Sequence, residues 1–128
     1  MDSRDGRAEA ADSAMNGQRA VQWIGLAVRA RKAAVGADAV LRAIQSNRAR
    51  LVLMAADVGA NMAKKYRDKC AYYQVPLCVA FDKRTLGGAC GKAETAAVAL
   101  LDQGFAAKMQ EYLKESGGGE AFGETSSI

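Results

Sequence analysis

The 128-residue chain contains no histidine, which removes both the commonest general base and the commonest metal ligand. Cys70, Cys78 and Cys90 include no close pair of the kind zinc sites use, and an odd number of cysteines makes no disulfide framework. Cys70 falls on an apolar helical stripe and Cys78 within an apolar run, so both read as small buried hydrophobes. The run Gly87-Gly88-Ala89-Cys90-Gly91-Lys92 invites comparison with a phosphate loop but fails on count. Three residues separate Gly87 from Gly91 where the nucleotide loop has four, and Ala93 stands in place of the magnesium-binding hydroxyl. It reads instead as a tight turn bounding a helix. No acidic pair suggests acid–base catalysis. Asp38 precedes Arg42 by four residues, the favourable order for a helical ion pair. Asp57 falls between a buried strand and a helix, where capping or a turn accounts for it. Lys64, Lys65, Arg67 and Lys69 form the densest basic run. Lys64 and Arg67 lie opposite a Met62–Tyr66–Cys70 stripe, so the run is first of all a solvated face, with nucleic-acid contact as the sharper alternative.

These residues sit on alternating helical and extended patterns. From about Gln18 to Lys32, Ala20, Val21, Ile24, Ala27 and Val28 share one helical face. A short apolar stretch, Ala33 to Val35, ends at Gly36. A second helix is predicted from Ala37 to about Ser46, with Val40, Leu41 and Ile44 inward. Leu51 to Ala55 is too short for a helix and reads as a buried strand. A third helix spans about Gly59 to Tyr73, and Val75 to Phe81, with Pro76 near its start, is the next strand. A short helix over Thr85 to Gly91, a strand over Thr95 to Leu101 and a last helix from Gly104 to about Lys114 complete the pattern. Such alternation in one small domain implies a sheet covered by helices on both faces.

Composition fits one soluble globular domain: 50% hydrophobic, 25% charged. The longest apolar runs fall far short of the ~20 residues that a membrane span requires, and the opening residues alternate acid and base where a secretory signal needs an apolar core. The cytoplasm is the expected address. The net charge of +4 is unevenly spread. Residues 1–16 hold two arginines against four acids, and residues 116–128 hold two glutamates and no basic residue. The stretch 17–115 therefore carries 16 basic against 8 acidic residues, a net +8, which attracts polyanions. Segments 1–17 and 116–128 are small, polar and without periodicity, and are expected to be disordered flanks of a domain over 18–115.

In register along that domain stand Gly25-Leu26-Ala27 with Arg29-Ala30, Lys32, Gly36, Val40-Leu41-Arg42-Ala43, Leu51-Val52-Leu53, Ala55, Asp57, Asn61, Lys64-Lys65, Asp68, Cys70 and Tyr72-Tyr73 before Val75-Pro76. Leu86-Gly87, Ala89, Gly91-Lys92 and Gly104-Phe105-Ala106 continue the series. In this pattern the chain resembles the bacterial YlxQ-type members of the kink-turn-binding ribosomal protein superfamily, over roughly Gln18 to Lys114. The resemblance implies a three-layer α–β–α sandwich with a four-stranded mixed sheet, no enzyme activity and no cofactor or metal. It also implies a surface for RNA kinks built on tandem sheared G·A pairs. That surface comprises the start of the second helix and the loop before the Leu86–Gly91 helix. Carried over, the first segment supplies Lys32, Gly36, Ala37, Asp38, Ala39 and Arg42, and the second Asp82, Lys83, Arg84, Leu86, Gly87 and Gly88. The best-known binders place an Asn-Glu pair where this chain has Asp38 and Ala39, and glycine where it has Arg31. Ala39 cannot hydrogen-bond a guanine, and Asp38 accepts without donating.

The chain is accordingly read as a non-enzymatic, monomeric RNA-binding protein. Its partner is a structured RNA, with a kink-turn and the ribosome as the specific expectations. The rival is a protein–protein adaptor that keeps the fold without kink-turn recognition. A small nucleotide-binding enzyme is disfavoured by the failed phosphate loop and the missing histidine.

Overall fold

The computed structural model describes residues 17–116 and 119–121. Helix α1 covers residues 17–29. It is followed by β1 (Ala33–Val35), α2 (Ala37–Gln45), β2 (Leu51–Met54), α3 (Ala60–Tyr73), β3 (Leu77–Ala80), α4 (Lys83–Ala89), β4 (Ala97–Leu100), α5 (Gln103–Ser116) and β5 (Gly119–Ala121). The strand order is β1-β4-β2-β3-β5. Strand β4 runs antiparallel to both β1 and β2, and β2 runs parallel to β3. The four expected strands thus form a mixed sheet, and β1, β2 and β3 all point the same way.

Side-chain alternation divides the core in two. Leu51, Leu53, Val98, Leu100 and Cys78 face α1 and α5, where they meet Ile24, Ala27, Met109 and Leu113. Their neighbours Val52, Met54, Ala97, Ala99 and Leu77 face α2 and α3, against Val40, Ile44, Tyr66 and Cys70. The result is the α–β–α sandwich. All four residues of β2 are buried because both faces of this central strand are covered, which is why Leu51–Met54 is apolar without alternation. Trp23 of α1 fixes α5: its ring lies 4.7 Å from Phe105 and its Nε1–H donates to the Phe105 carbonyl at 3.0 Å.

Three local outcomes differ from the sequence reading. Helix α4 begins at Lys83, two residues early, because the Asp82 carboxylate accepts from the Thr85 amide at 2.7 Å and caps it. Within 116–128, expected to be disordered, Ser116 ends α5 and Gly119–Ala121 pairs antiparallel with β3. The exposed edge of β3 offers backbone groups that even a segment with little to bury can satisfy. Gly17, placed in the expected N-terminal flank, belongs to α1; residues 1–16 and the remainder of the C-terminal flank lie outside the described residues.

Helix α1 also ends earlier than expected, in a geometry it shares with three others. After α1, α2, α3 and α4 a residue enters the left-handed region: Arg31 (φ 61°), Asn47 (φ 60°), Gln74 (φ 59°) and Gly91 (φ 78°). The next amide reaches back five residues, Lys32 to Ala27, Arg48 to Ala43, Val75 to Cys70 and Lys92 to Gly87, at 2.8–2.9 Å. These bonds satisfy carbonyls that each helix end would otherwise leave unpaired. Only after α4 does glycine hold the strained position. The substitution Arg31→Gly should therefore raise stability by about 0.5–1 kcal/mol. Relief of the ~1–2 kcal/mol left-handed cost exceeds the added chain entropy of glycine, and thermal denaturation of the two proteins measures the difference.

Candidate functional site

Because β1, β2 and β3 run in one direction, the loops that follow them emerge at one end of the sheet. Backbone bonds lace these loops together around the start of β4. The Gly36 amide donates to Ala97, Ala55 to Ala96, Ala56 to Phe81, and Thr95 to Lys83, all at 2.9–3.1 Å. The N-termini of α2, α3 and α4 therefore converge on this Gly36 end.

The three helix starts differ in chemistry. Helix α4 is capped by two carboxylates: Asp82 accepts from Thr85, and Asp57, from the β2–α3 loop, accepts from the Lys83 amide at 2.9 Å. The bond from the Thr85 amide is the main cause that holds the Asp82 carboxyl below its ordinary range. Amides so engaged are not open to phosphate. Helix α2 is the opposite case, since Gly36 precedes it and no side chain caps it. Gly36 lies at φ 101°, ψ 157°, a region essentially reserved for glycine. It turns the chain so that the amides of Ala37, Asp38 and Ala39 are presented at the surface, with the positive end of the helix dipole behind them. Gly59 likewise precedes α3 without a side-chain cap.

Most of the residues carried over by resemblance meet here. Asp38, Arg42, Asp82, Arg84 and Gly88 are exposed, and Gly36, Ala37, Ala39 and Lys83 are half-buried. Asp82, Arg84, Thr85, Gly88, Lys92 and Ala93 line an open groove of about 480 Å³ beside the start of α4. Phe81, at φ 64°, makes the reversal from β3 into this loop in a conformation uncommon for an aromatic residue. Two carried-over residues are inward. Leu86 is fully buried in the core, and Gly87 is buried because its α-carbon faces the Glu94 backbone, where an added Cβ would sit 2.3 Å from Cα. They position the loop and present no side chain to a ligand. Lys32 is elsewhere: its carbonyl accepts from Leu101 at the far end of β4, about 13 Å along β1 from Gly36.

The i,i+4 pair expected of Asp38 and Arg42 is not among the ion pairs of the described residues. Lys64 and Asp68 make that contact on α3, at 2.7 Å and well exposed. Asp38 instead exerts its charge on Tyr66, whose hydroxyl is buried without a hydrogen-bond partner among the described residues. Burial first, then Asp38 and Cys70, push the Tyr66 phenol up to about 12. Burial also pushes the Cys70 thiol up to about 12 and raises that of Cys90, which fits hydrophobic roles for these two. Lys92 is not among the site residues expected from the sequence, yet it lines the same groove as Arg84. The signal was Gly91, whose left-handed turn folds Lys92 back against Gly87 and sets it beside Arg84. Among the described residues no group of acidic or cysteine side chains could hold a metal ion, and no helix is long and apolar enough to cross a membrane.

Comparison with known proteins agrees with the fold. Residues 18–110 match the model of the ribosomal protein L7Ae/L30e/S12e/Gadd45 family. Over 95 residues the chain is 44% identical to the protein named RNA-binding protein YlxQ of Bacillus subtilis (strain 168), covering 74% of this chain and 95% of that one. Over 99 residues it is 34% identical to the protein of the same name from Enterococcus faecium, covering 77% and 95%. A solved structure of a protein of unknown function from Bacillus halodurans superposes with a TM-score of 0.71 at 35% identity, covering 74% of this chain and 96% of that one.

Two predictions follow from the packing of this end. Gly87→Ala should cost about 1–3 kcal/mol by driving α4 away from the Glu94 backbone. Gly88→Ala, with nothing within 4 Å of its added Cβ, should stabilise α4 by about 0.5–1 kcal/mol; denaturant midpoints of the pair decide. In alkali, a folded-state phenol pKa raised above the unfolded value means that the unfolded chain loses its proton first. The contribution of Tyr66 is thus intact below pH ~10 and lost as pH rises towards about 12. Tyr66→Phe should flatten that alkaline decline, as followed by unfolding across this range.

Proposed function

Since the chain belongs to the ribosomal protein L7Ae/L30e/S12e/Gadd45 family, we propose that its Gly36 end binds structured RNA, without catalysis, and recognises a kinked helix. The observation that carries this reading is the uncapped N-terminus of α2 behind Gly36. A 9-residue helix with free leading amides offers donors to a phosphate. The glycine lets the RNA backbone approach where a side chain would stand in the way. Arg42 lies one turn further along α2, and Arg84 and Lys92 approach from the β3–α4 side. Groups from two separate loops can engage the two sides of a bend, which is how a small domain reads RNA by shape. The relatives named as RNA-binding proteins support the same partner, and ribosomal or ribosome-associated RNA is the class to which the family points.

Asp38 and Ala39 tune the surface. Asp38 brings a carboxylate to the phosphate-facing turn, and Ala39 contributes no polar group to a base edge. These two residues favour the second reading, a protein–protein adaptor on the same fold, over any other alternative.

Titration against a kink-turn RNA and a straight duplex of equal length separates the two. Arg42→Ala should weaken kink-turn binding and lower the slope of log affinity against log salt by about one. Asp38→Asn should strengthen it, by up to ~1–3 kcal/mol if the new amide meets a base edge. Should both variants bind the kinked RNA as the parent does, α2 is not the RNA surface and the adaptor reading takes its place.

A further inference from the structure

The opposite end of the sheet carries a more one-sided charge than the site itself. Three loops meet around Leu100: the turn after α1, the turn after α2, and the start of α5. The Arg50 amide donates to the Leu100 carbonyl at 2.7 Å, and the Leu101 amide donates to Lys32 at 2.8 Å. Lys32 and Arg50 therefore stand on either side of β4, two strand spacings or about 10 Å apart. Arg31 and Arg48 adjoin them, and all four side chains are exposed. None of the four takes part in the ion pairs of the described residues. The acidic residue of these loops is Asp102, whose carboxylate is engaged in accepting from the Phe105 amide at 3.0 Å. At the Gly36 end, by contrast, Asp38, Asp57, Asp82 and Glu94 are interspersed with the cations.

Cations near helix C-termini gain from the helix dipole, and that accounts for part of the pattern at Arg31 and Arg48. It does not account for Lys32 and Arg50, which lead into strands.

We propose that the Leu100 end is a second phosphate-binding surface, formed by Arg31, Lys32, Arg48 and Arg50, that takes the backbone of an RNA helix. The two ends lie at opposite termini of the same strands, so one protein can hold the kinked segment at one end and a neighbouring helix at the other. Sequence plays no part at the Leu100 end, because contacts to phosphates fix position without reading bases. The inference rests on the reading that the chain binds RNA and is independent of kink recognition.

The test uses the full chain, a straight RNA duplex of several helical turns, and a kink-turn RNA flanked by the same duplex. The variant is Arg31→Gly/Lys32→Gln/Arg48→Gln/Arg50→Gln, with Lys32→Glu/Arg50→Glu as a second variant; circular dichroism checks that both remain folded. Duplex affinity at low salt should fall by roughly tenfold or more, and the salt slope should become shallower by about 0.9 for each lost phosphate contact. The ratio of kinked to straight affinity should stay at the parent value. A salt slope unchanged in both variants overturns the second surface, whatever preference for kinks the parent shows. A parent with a steep slope but no kink preference, whose slope the variants flatten, upholds this surface and refutes kink recognition alone. A parent that binds neither RNA at low salt refutes both. Loss of binding to phosphatidylserine-containing vesicles with RNA binding intact would assign the surface to a membrane and overturn the proposal.

Discussion

The placement of β4 governs the rest of the structure. Inserted antiparallel between β1 and β2, it is the one strand of β1 to β4 that runs against the others. Its neighbours therefore all finish at the same end of the sheet. Three successive strand-to-helix loops are thus gathered into one surface, and three helix N-termini point at it. The bonds from Gly36 to Ala97 and from Ala55 to Ala96 tie two of these loops to the segment that begins β4. These loops are thus an extension of the sheet ladder. Were β4 placed at the sheet edge, the β1–α2 and β2–α3 loops would lose this shared anchor.

Within that surface the helix starts divide the work. Carboxylates occupy the leading amides of α4, so this short helix is an internally satisfied scaffold whose loop is set by Asp57, Asp82 and the close approach of Gly87 to Glu94. Helix α2 keeps its leading amides open, and the backbone conformation of Gly36 directs them outward. The contrast is electrostatic as much as geometric. One helix has been supplied with its anions by the protein, while the other has none from a capping side chain. The charge of Asp38 also reaches the core, raising the Tyr66 phenol, whose hydroxyl has no hydrogen-bond partner among the described residues.

Charge is divided along the strands as well as around the loops. Acidic and basic side chains are interspersed at the Gly36 end, while the Leu100 end is predominantly cationic. The turns that close α1, α2 and α4 share in this arrangement: each sets its left-handed residue and the side chain after it on the outside, and so brings Arg31, Lys32 and Arg48 to the surface at one end and Lys92 at the other.

Much of this was legible in the residues. The helical stripes, the unbroken apolar run of β2 and the inward roles of Cys70 and Cys78 follow from hydrophobic periodicity, because each element must bury one face whatever its neighbours are. The failed phosphate loop and the missing histidine likewise limit the chemistry without coordinates. The special conformation at Gly36 was suggested by the residue type itself. Other features depend on partners distant in sequence. That Asp57 caps α4 rather than its own helix, 26 residues away, follows only from β2 and β3 lying side by side. Strand β5 forms because β3 leaves an edge open, and nothing in its own short sequence demands it. Leu86 could be assigned to a binding loop from its position, yet the helix turns its side chain into the core. Lys32, four residues from Gly36, reads as part of one site but is carried by an extended strand to the other end of the sheet. Sequence spacing fixes periodicity within an element; the direction in which each strand runs decides which loops share a surface, and that is settled only when the sheet assembles.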